Sequence, residues 1–358
     1  MKLLNIYLFK RFMFGFFLSM LVLLSIETFL SFTSELEDLN TGSYTFTILL
    51  KYILLTIPKS MHDLFPYALL IGAMLSLGAM AADMEFVAIQ SAGISTAKTI
   101  QIILIQTLII STTFYILTDF FASNLNKKAI QMKNVAIDQK AVHKANGVWF
   151  KDKNRFINID EVFSNSKLKN ISIYIYDYNL QLQSFQHIDE ALLENNEWAL
   201  LSIKETLFHK NPIEKRYFHE KIDPDFIDAK LLDIAVHKPN DLSFFDVLEN
   251  INYLNKNNLD DSIQKRVFWE KLFKPFSTAI MLFLAMPFLF GKYRSNTQGK
   301  RIVVGLFIGI IFFVISTMIP NLGGVIGFSP FFNALIPNLL FIFIGLKLYR
   351  EQLESGLQ

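Results

Sequence analysis

The stretch from Ala82 to Gly93 holds the residues best suited to contact a partner. Glu85 offers a carboxylate that an arginine of a partner could bind, and Gly93 suits the left-handed conformation with which many helices end. The opposite side is apolar or small and recurs at helical intervals: Met84, Val87, Ala88, Ser91. This pattern predicts an amphipathic helix at about residues 82–94 that docks in a partner's groove. A tight hairpin at the membrane interface, without a partner, is the alternative.

No pattern in the sequence is typical of catalysis or of nucleotide binding. The Gly-Lys pairs, Gly291-Lys292 and Gly299-Lys300, are followed by Tyr and Arg and do not form a phosphate-binding loop. The six histidines lack metal-ligand spacing, and the absence of cysteine excludes thiolate zinc sites and disulfides. We therefore expect no catalytic residue, no metal and no cofactor. A net charge of +2 argues against nucleic acid as a partner.

The composition is that of a membrane protein with a soluble insertion. Hydrophobic residues make up 52% of the 358 residues, and the mean hydropathy is +0.34. The charged residues are concentrated between residues 119 and 274. The chain therefore divides into a membrane part, a soluble part and a second membrane part.

Apolar runs of about 20 residues predict helices that cross a bilayer. Three such runs precede the charged block, at residues 12–34, 64–82 and 99–118, and a fourth follows it at 275–291. The run 302–346 is long enough for two spans, and Pro320–Gly324 with Ser329-Pro330 supplies residues typical of a turn. We predict six spans in all.

Basic residues in short loops predict the orientation, because they are retained on the cytoplasmic side. With the amino terminus inside, the inner segments carry ten of them: Lys2, Lys10, Arg11, Lys98, Lys292, Arg294, Lys300, Arg301, Lys347, Arg350. The outer short segments offer only Lys51 and Lys59. We therefore predict that both termini are cytoplasmic and that the charged block lies across the membrane from them.

The charged block alternates between apolar and polar residues, as half-buried strands do. Bursts at residues 155–159, 171–176 and 198–203 predict an antiparallel sandwich or roll. Ser243 with Asp246 resembles a capping box that begins a helix near the end of the block. The predicted domains are a membrane part at 1–120, an all-β part at 121–265 with this terminal helix, and a membrane part at 266–358.

The stretch Ser76–Gly93 resembles the cytoplasmic coupling segment of the LptF/LptG permeases, and is closer to the LptG branch of that family. Further pieces agree with the family in order along the chain: Thr41–Tyr44, Ile57–Lys59, Phe65-Pro66, Gly147–Asp152, Ile171–Tyr174, Phe273–Ser277, Phe290-Gly291 and Arg294-Ser295. The resemblance covers essentially the whole chain.

The resemblance implies six transmembrane helices with an external β-jellyroll between the third and the fourth. It also implies one half of a permease heterodimer in the bacterial inner membrane that extracts lipopolysaccharide. A cytoplasmic ATPase dimer would drive it, a second LptF-like permease subunit would complete it, and periplasmic jellyroll proteins would receive the lipid. By position in the family's motif, the coupling residues would be Asp83, Glu85, Ala88 and Gly93.

The chain departs from the resembling permeases just beyond the first span. LptG-like members carry basic residues there, which are thought to meet phosphates of the lipid, whereas this chain has Ser34–Asp38 with three acidic residues. The lysine contact is therefore not carried over, and three sources of compensation stay open. The partner subunit could supply the cations, divalent ions could bridge, or the head group could be less anionic.

The expected lipid contacts lie in two spans and in the predicted strands. Phenylalanines of the first and fifth spans, Phe16 and Phe312 among them, could line a lateral opening, or they could simply face lipid and neighbouring helices. Glu27 could face a cavity or snorkel to the interface. In the strands, the residues expected to point inward toward acyl chains are Trp149, Phe156, Ile157, Ile173 and Ile175, with a plain core as the alternative.

Two other functional classes remain as alternatives for this sequence. A mechanotransmission-type ABC subunit would carry long helical stalks, which the alternating strand pattern disfavours. A membrane-anchored periplasmic sensor would need neither a cytoplasmic partner groove nor a lateral opening.

Overall fold

The computed structural model describes residues 2–137, 147–290 and 298–355, apart from positions 153, 165, 180, 195–196, 209–211, 225, 228–230 and 233–236. The predicted inner cations Lys292 and Arg294 lie outside the described residues. The chain forms two compact units. We call residues 1–31, 56–123 and 265–358 the helical unit, and residues 32–55 and 124–264 the sheet unit.

Six long helices of the described ranges are apolar enough to cross a membrane, which confirms the predicted number of spans. The same described ranges hold two shorter helices and two 3-10 turns, Leu36–Asp38 and Pro239–Asp241. The helices in chain order are α1 Lys2–Glu35, α2 Phe46–Ala82, α3 Glu85–Ser91, α4 Thr96–Ala136, α5 Phe244–Lys256, α6 Ser262–Phe290, α7 Gln298–Ile326 and α8 Pro330–Ser355.

The turn between the last two spans lies later than the sequence predicted. Helix α7 continues through Pro320 to Ile326, and the chain reverses at Gly327, whose φ is +85°. A proline inside a membrane helix is tolerated because neighbouring groups satisfy the backbone that it frees. Pro330 then occupies the first turn of α8, where its missing N–H costs nothing. Pro320–Gly324 is therefore part of α7 and not of the turn, whereas the predicted turn residues Ser329-Pro330 lie at the reversal.

Helix α4 also runs well past the end of its charge-free stretch, to Ala136. Its first charged residue beyond that stretch, Asp119, accepts a hydrogen bond from Lys271 Nζ of α6 at 2.6 Å. Both side chains are largely buried, so the pair joins these two helices. The length of a charge-free run indicates the thickness of the hydrocarbon layer that a helix crosses, and the helix itself can be longer.

In the helical unit, α2 lies between α1 and α7. A Cβ added to Gly72 of α2 would come within 2.6 Å of the Gly15 backbone of α1. One added to Gly305 of α7 would come within 2.9 Å of Met74 of α2. Such small residues allow close helix packing in membranes. The most apolar window of α2 is 61% buried, against 22% for α1 and 28% for α7.

The sheet unit contains one six-stranded antiparallel sheet in which each strand pairs with the next along the chain. The three predicted strand regions fall within β2, β3 and β5. The strands are β1 Val148–Asp152, β2 Arg155–Ser164, β3 Lys167–Tyr176, β4 Leu182–Glu194, β5 Glu197–Leu207 and β6 Glu214–Asp223. Within the described residues the sheet is thus a meander, which confirms the antiparallel all-β prediction.

One face of this sheet forms the core of the unit. Ile157 pairs with Ile173 across β2 and β3, and both side chains are buried. Trp198 of β5 is also buried, and its indole N–H donates to the Ile227 carbonyl at 2.7 Å. That bond satisfies the polar atom of the largest side chain in this core.

The other face carries two residues that were predicted to point inward. Phe156 pairs with Tyr174, and Trp149 pairs with Asn158, so both lie on the face opposite to Ile173. Trp149 is 53% exposed. Because strand side chains alternate between faces, neighbours such as Phe156 and Ile157 cannot both point inward. The prediction that these two aromatic residues share the inner face was wrong.

Helix α5 begins with the predicted capping box. The Ser243 hydroxyl accepts from the Asp246 backbone N–H, and the Asp246 carboxylate accepts from the Ser243 N–H. Lys127 of α4 donates to the same carboxylate at 2.9 Å, with both side chains mostly buried. Burial by itself would raise the pKa of Asp246, but the Lys127 ammonium and the bonds from Ser243 hold the pKa below its ordinary value.

Candidate coupling and lipid-contact sites

The connection between α2 and α4 is built around the seven-residue helix α3. Met84 precedes it in a left-handed conformation, with φ +57°, and Gly93 follows it with φ +87°. A left-handed methionine is uncommon, and such strain often occurs at functional sites. The Ser95 hydroxyl accepts from the Lys98 N–H and so caps α4. Met84 and Val87 are exposed, as the predicted apolar stripe requires.

Helix α3 is attached to the rest of the helical unit through Phe86, Glu85 and Gln90, whose Nε2 donates to Thr96 Oγ1 at the start of α4 at 2.6 Å. Phe86 is buried, and its ring centroid lies 4.4 Å from that of Phe290 at the end of α6. Glu85 binds α1: the Tyr7 hydroxyl donates to Oε2 at 2.6 Å, and Arg11 Nη2 donates to Oε1 at 3.2 Å. Both carboxylate oxygens of Glu85 therefore have partners within the chain.

The other three predicted coupling residues lie on the accessible side of this connection. Asp83 and Ala88 are exposed, and a Cβ added to Gly93 would meet nothing within 4 Å. All three therefore share the exposed surface with Met84 and Val87. Tyr7 and Arg11 were not predicted as partners of Glu85, because no local spacing links them to a glutamate 74 residues beyond Arg11.

Several helix ends meet at this end of the helical unit. Contacts of Glu85 and Phe86 bring together the start of α1, helix α3 and the end of α6. The start of α4, including Ala97, lines one apolar groove with Tyr349 near the end of α8. Basic residues of the described ranges belong to these helix ends and to the start of α7: Lys2, Lys10, Arg11, Lys98, Lys300, Arg301, Lys347, Arg350.

The predicted phenylalanines of the first and fifth spans divide into two groups. Phe16 and Phe312 are buried, and their rings pack against Phe65 at 5.3 Å and Phe341 at 4.5 Å. Other phenylalanines of the same helices are exposed by more than half: Phe14, Phe17, Phe307, Phe313. In this structure the two predicted residues are core residues, and the exposed group forms the surface beside them.

Glu27 lies in the C-terminal half of α1 and is half-buried. Among the described residues, the structure shows no ion pair for it. An unpaired carboxylate within a span is costly, so its surroundings matter for any lipid-contact role.

Two of the three acidic residues after the first span pair with a lysine of the sheet unit. Lys133 of α4 donates to Glu35 Oε1 at 2.7 Å and lies 2.9 Å from Asp38 Oδ2. The Tyr44 hydroxyl donates to the other Glu35 oxygen at 2.8 Å, so this buried carboxylate has a partner for each oxygen. Burial and the bond to Glu35 raise the pKa of Tyr44. Lys133 was not predicted as a partner of Glu35, because the two residues are 98 positions apart in the sequence.

The predicted strand contacts fall on both faces of the sheet. Ile173 is buried, and Ile175 is partly buried against the same core. Phe156 belongs to the opposite face, where its ring centroid lies 5.6 Å from that of Tyr176. The structure therefore brings Ile173 and Ile175 together and separates them from Phe156.

Comparison with known families decides the class of protein to which these features belong. The model of the lipopolysaccharide export system permease family LptF/LptG matches residues 6–351. The chain belongs to the LptF/LptG family. It is therefore a permease of lipopolysaccharide export, which the family carries out with other Lpt components.

Individual relatives agree with this assignment. The chain is 30% identical over 346 residues to the lipopolysaccharide export system permease protein LptG of Haemophilus influenzae, covering 94% of this chain and 95% of that protein. It is 29% identical over 347 residues to the LptG protein of Escherichia coli K12, covering 92% and 93%. With six apolar helices, this LptF/LptG permease is a multi-pass protein of the inner membrane.

Proposed function

We propose that this permease is one subunit of a heterodimer that is driven by a cytoplasmic ATPase dimer bound at α3. Both termini are cytoplasmic, and the sheet unit is periplasmic. Lipopolysaccharide leaves the bilayer beside α1 and α7 and passes to periplasmic jellyroll proteins. The observation that carries this proposal is α3 itself, a short helix with an exposed apolar side at the basic end of the helical unit.

The distribution of basic residues supports the orientation. The helix ends that meet around α3, together with the start of α7, carry eight basic residues of the described ranges. Positive charge is retained on the cytoplasmic side of bacterial membranes, so this end faces the cytoplasm. An ATPase that uses cytoplasmic ATP can reach α3 only from that side.

The exposed side of α3 suits a partner groove. Met84 is 64% exposed and Val87 is 40% exposed, although both are apolar. They project beside the exposed residues Asp83, Ala88 and Gly93, which occupy the family's coupling positions. An apolar helix face that enters a groove of another protein loses contact with water, which stabilises the complex. Glu85 contributes to coupling from the other side of α3, where it binds Tyr7 and Arg11.

The exposed phenylalanines support a lateral path for the lipid. Moving acyl chains into water costs about 0.8 kcal/mol per CH₂ group, so extraction must keep them on apolar protein surface. Helices α1 and α7 flank α2, and both are less buried than α2. Their exposed faces form half of a cavity that a second permease subunit closes. Phe16 and Phe312 support those faces from the core, and Glu27 lies along the same helix.

The sheet unit supplies the next apolar surface. Its inner face contains Ile173 and Ile175, which are candidate acyl-chain contacts if the sheet opens. In the structure this face is a packed core. Phe156 lies on the outer face and is a candidate contact for a neighbouring protein and not for the acyl chains.

The test is to measure ATPase binding by variants of two exposed valines. We expect Val87→Gln to reduce co-purification of the ATPase and the ATP hydrolysis of the complex, because a polar side chain weakens apolar docking. Val135→Gln, at the end of α4 and also exposed, is the matched control and should leave both unchanged. Equal binding and equal hydrolysis in the two variants would contradict docking through α3.

A further inference from the structure

The link between α3 and α1 consists of three polar side chains in mutual contact. Tyr7 donates to Glu85 at 2.6 Å and accepts from Arg11 Nε at 3.0 Å, while Arg11 Nη2 donates to Glu85 at 3.2 Å. The Arg11 guanidinium also lies 5.5 Å from the centre of the Tyr7 ring. We propose that Tyr7 and Arg11 are positioning residues that transmit movement of α3 to the first membrane helix. This inference rests on the proposed function of α3.

The geometry of the link suits it to transmit movement from α3 to α1. Each Glu85 oxygen binds a different donor, and the two donors are one helical turn apart on α1. A carboxylate held by two separate donors cannot rotate freely. A displacement of α3 is therefore passed on to α1, because rotation of the Glu85 side chain cannot absorb it. The attachment through Phe86 and Phe290 is an apolar contact that lacks such directional bonds, and the bond from Gln90 to Thr96 leads to α4 and not to α1.

The same link contributes little to folding. The Arg11 side chain is 51% exposed and that of Glu85 is 23% exposed. Exposed ion pairs stabilise proteins only weakly, because water screens the charges. Apolar packing holds α1 in place instead, through Leu8 and Phe12, which are fully buried. A variant without the ion pair should therefore fold and assemble, which allows transmission to be measured separately.

Helix α1 is well placed to receive the movement. Its first turns are also held by α4, because Gln106 Nε2 donates to the Asn5 carbonyl at 2.9 Å. Farther along, α1 carries the exposed residues Phe14 and Phe17 of the proposed lipid path. The link thus connects the proposed docking helix to one wall of that path.

The experiment is a double-mutant cycle on the assembled complex in proteoliposomes that contain lipopolysaccharide. Arg11→Gln and Glu85→Gln are made singly and together, and lipid release and ATP hydrolysis are measured in each. We expect Arg11→Gln to keep the ATPase bound and active but to lower lipid released per ATP by about three- to tenfold. The double variant should be no worse than either single variant. Lys10→Gln, which changes the neighbouring charge of α1, is the control and should match the parent.

Reversal of the pair provides an independent readout. Arg11→Glu combined with Glu85→Arg should recover part of the lost release, because the charges attract again, and Tyr7→Phe should lower release alone. Unchanged release per ATP in Arg11→Gln, or losses in the two single variants that multiply in the double variant, would overturn the link. A failure of the proposed function would give a different result: the Val87→Gln variant would bind the ATPase as well as the parent does.

Discussion

Removal of the Lys133 ammonium should destabilise the protein by leaving two carboxylates without their cation. Lys133 binds Glu35 at 2.7 Å and Asp38 at 2.9 Å. The Glu35 side chain is 10% exposed, whereas that of Asp38 is 46% exposed. The perturbation is Lys133→Met, which keeps an unbranched apolar stem and removes the ammonium group.

The exposures set the size of the effect. Removing one partner of a buried ion pair costs about 3–5 kcal/mol, and an exposed pair contributes about 0–1 kcal/mol. Glu35 belongs to the first case and Asp38 to the second, so we expect a loss of about 3 kcal/mol or more. For a unit of this size, about 3 kcal/mol corresponds to a fall in melting temperature of about 6–12 °C. Glu35→Gln in the Lys133→Met background should recover most of that loss, because the buried charge is then gone.

The assay is the melting temperature of the detergent-solubilised protein, with Lys128→Met as the matched control. Lys128 is exposed on the same helix, and its replacement should change the melting temperature little. A Lys133→Met protein that melts within about 2 °C of the parent would refute the reasoning. So would a double variant that is no more stable than the single one.

Two further predictions concern stability. Asp246 has a lowered pKa in the folded protein, so its contribution is present above the unfolded pKa of about 3.9 and is lost as the pH falls through the folded value. The melting temperature of Asp246→Asn should therefore fall less between pH 7 and pH 3 than that of the parent, and an equal fall in both would exclude this source of acid sensitivity. Gly72→Ala should lower the melting temperature, because its Cβ would meet the Gly15 backbone at 2.6 Å. Gly324→Ala, whose Cβ would meet nothing within 4 Å, should not, and equal effects of the two substitutions would argue against close packing of α1 on α2.

The sequence predicted those parts of the fold that depend on local patterns. Hydrophobic run length gave the six spans, and period-two alternation found the strand regions within β2, β3 and β5. The capping box at Ser243 was also found, because its two residues are three positions apart. Strand β6 was not predicted, since its side chains are mostly exposed and charged and show no apolar alternation.

The side-chain partners of the candidate sites could not be predicted. Glu85 meets Arg11, and Glu35 meets Lys133, only after helices distant in sequence have packed together. No spacing rule covers such pairs, and a single sequence carries no signal for them. The prediction for Phe156 was wrong for a different reason. A short run of consecutive apolar residues does not show which alternate positions face the core, and a shift of one position moves every side chain to the other face of the sheet.

The backbone contact between Gly15 and Gly72 gives α1 the mechanics of a lever. A rod clamped most tightly at one level turns about that level. At 1.5 Å per residue, the arm from Gly15 back to Tyr7 is about 12 Å and the arm forward to Ser31 is about 24 Å. A tilt that shifts the short arm by 1 Å would therefore move the tip of the long arm by about 2 Å, so a displacement at the Tyr7 end of α1 would be doubled at Ser31.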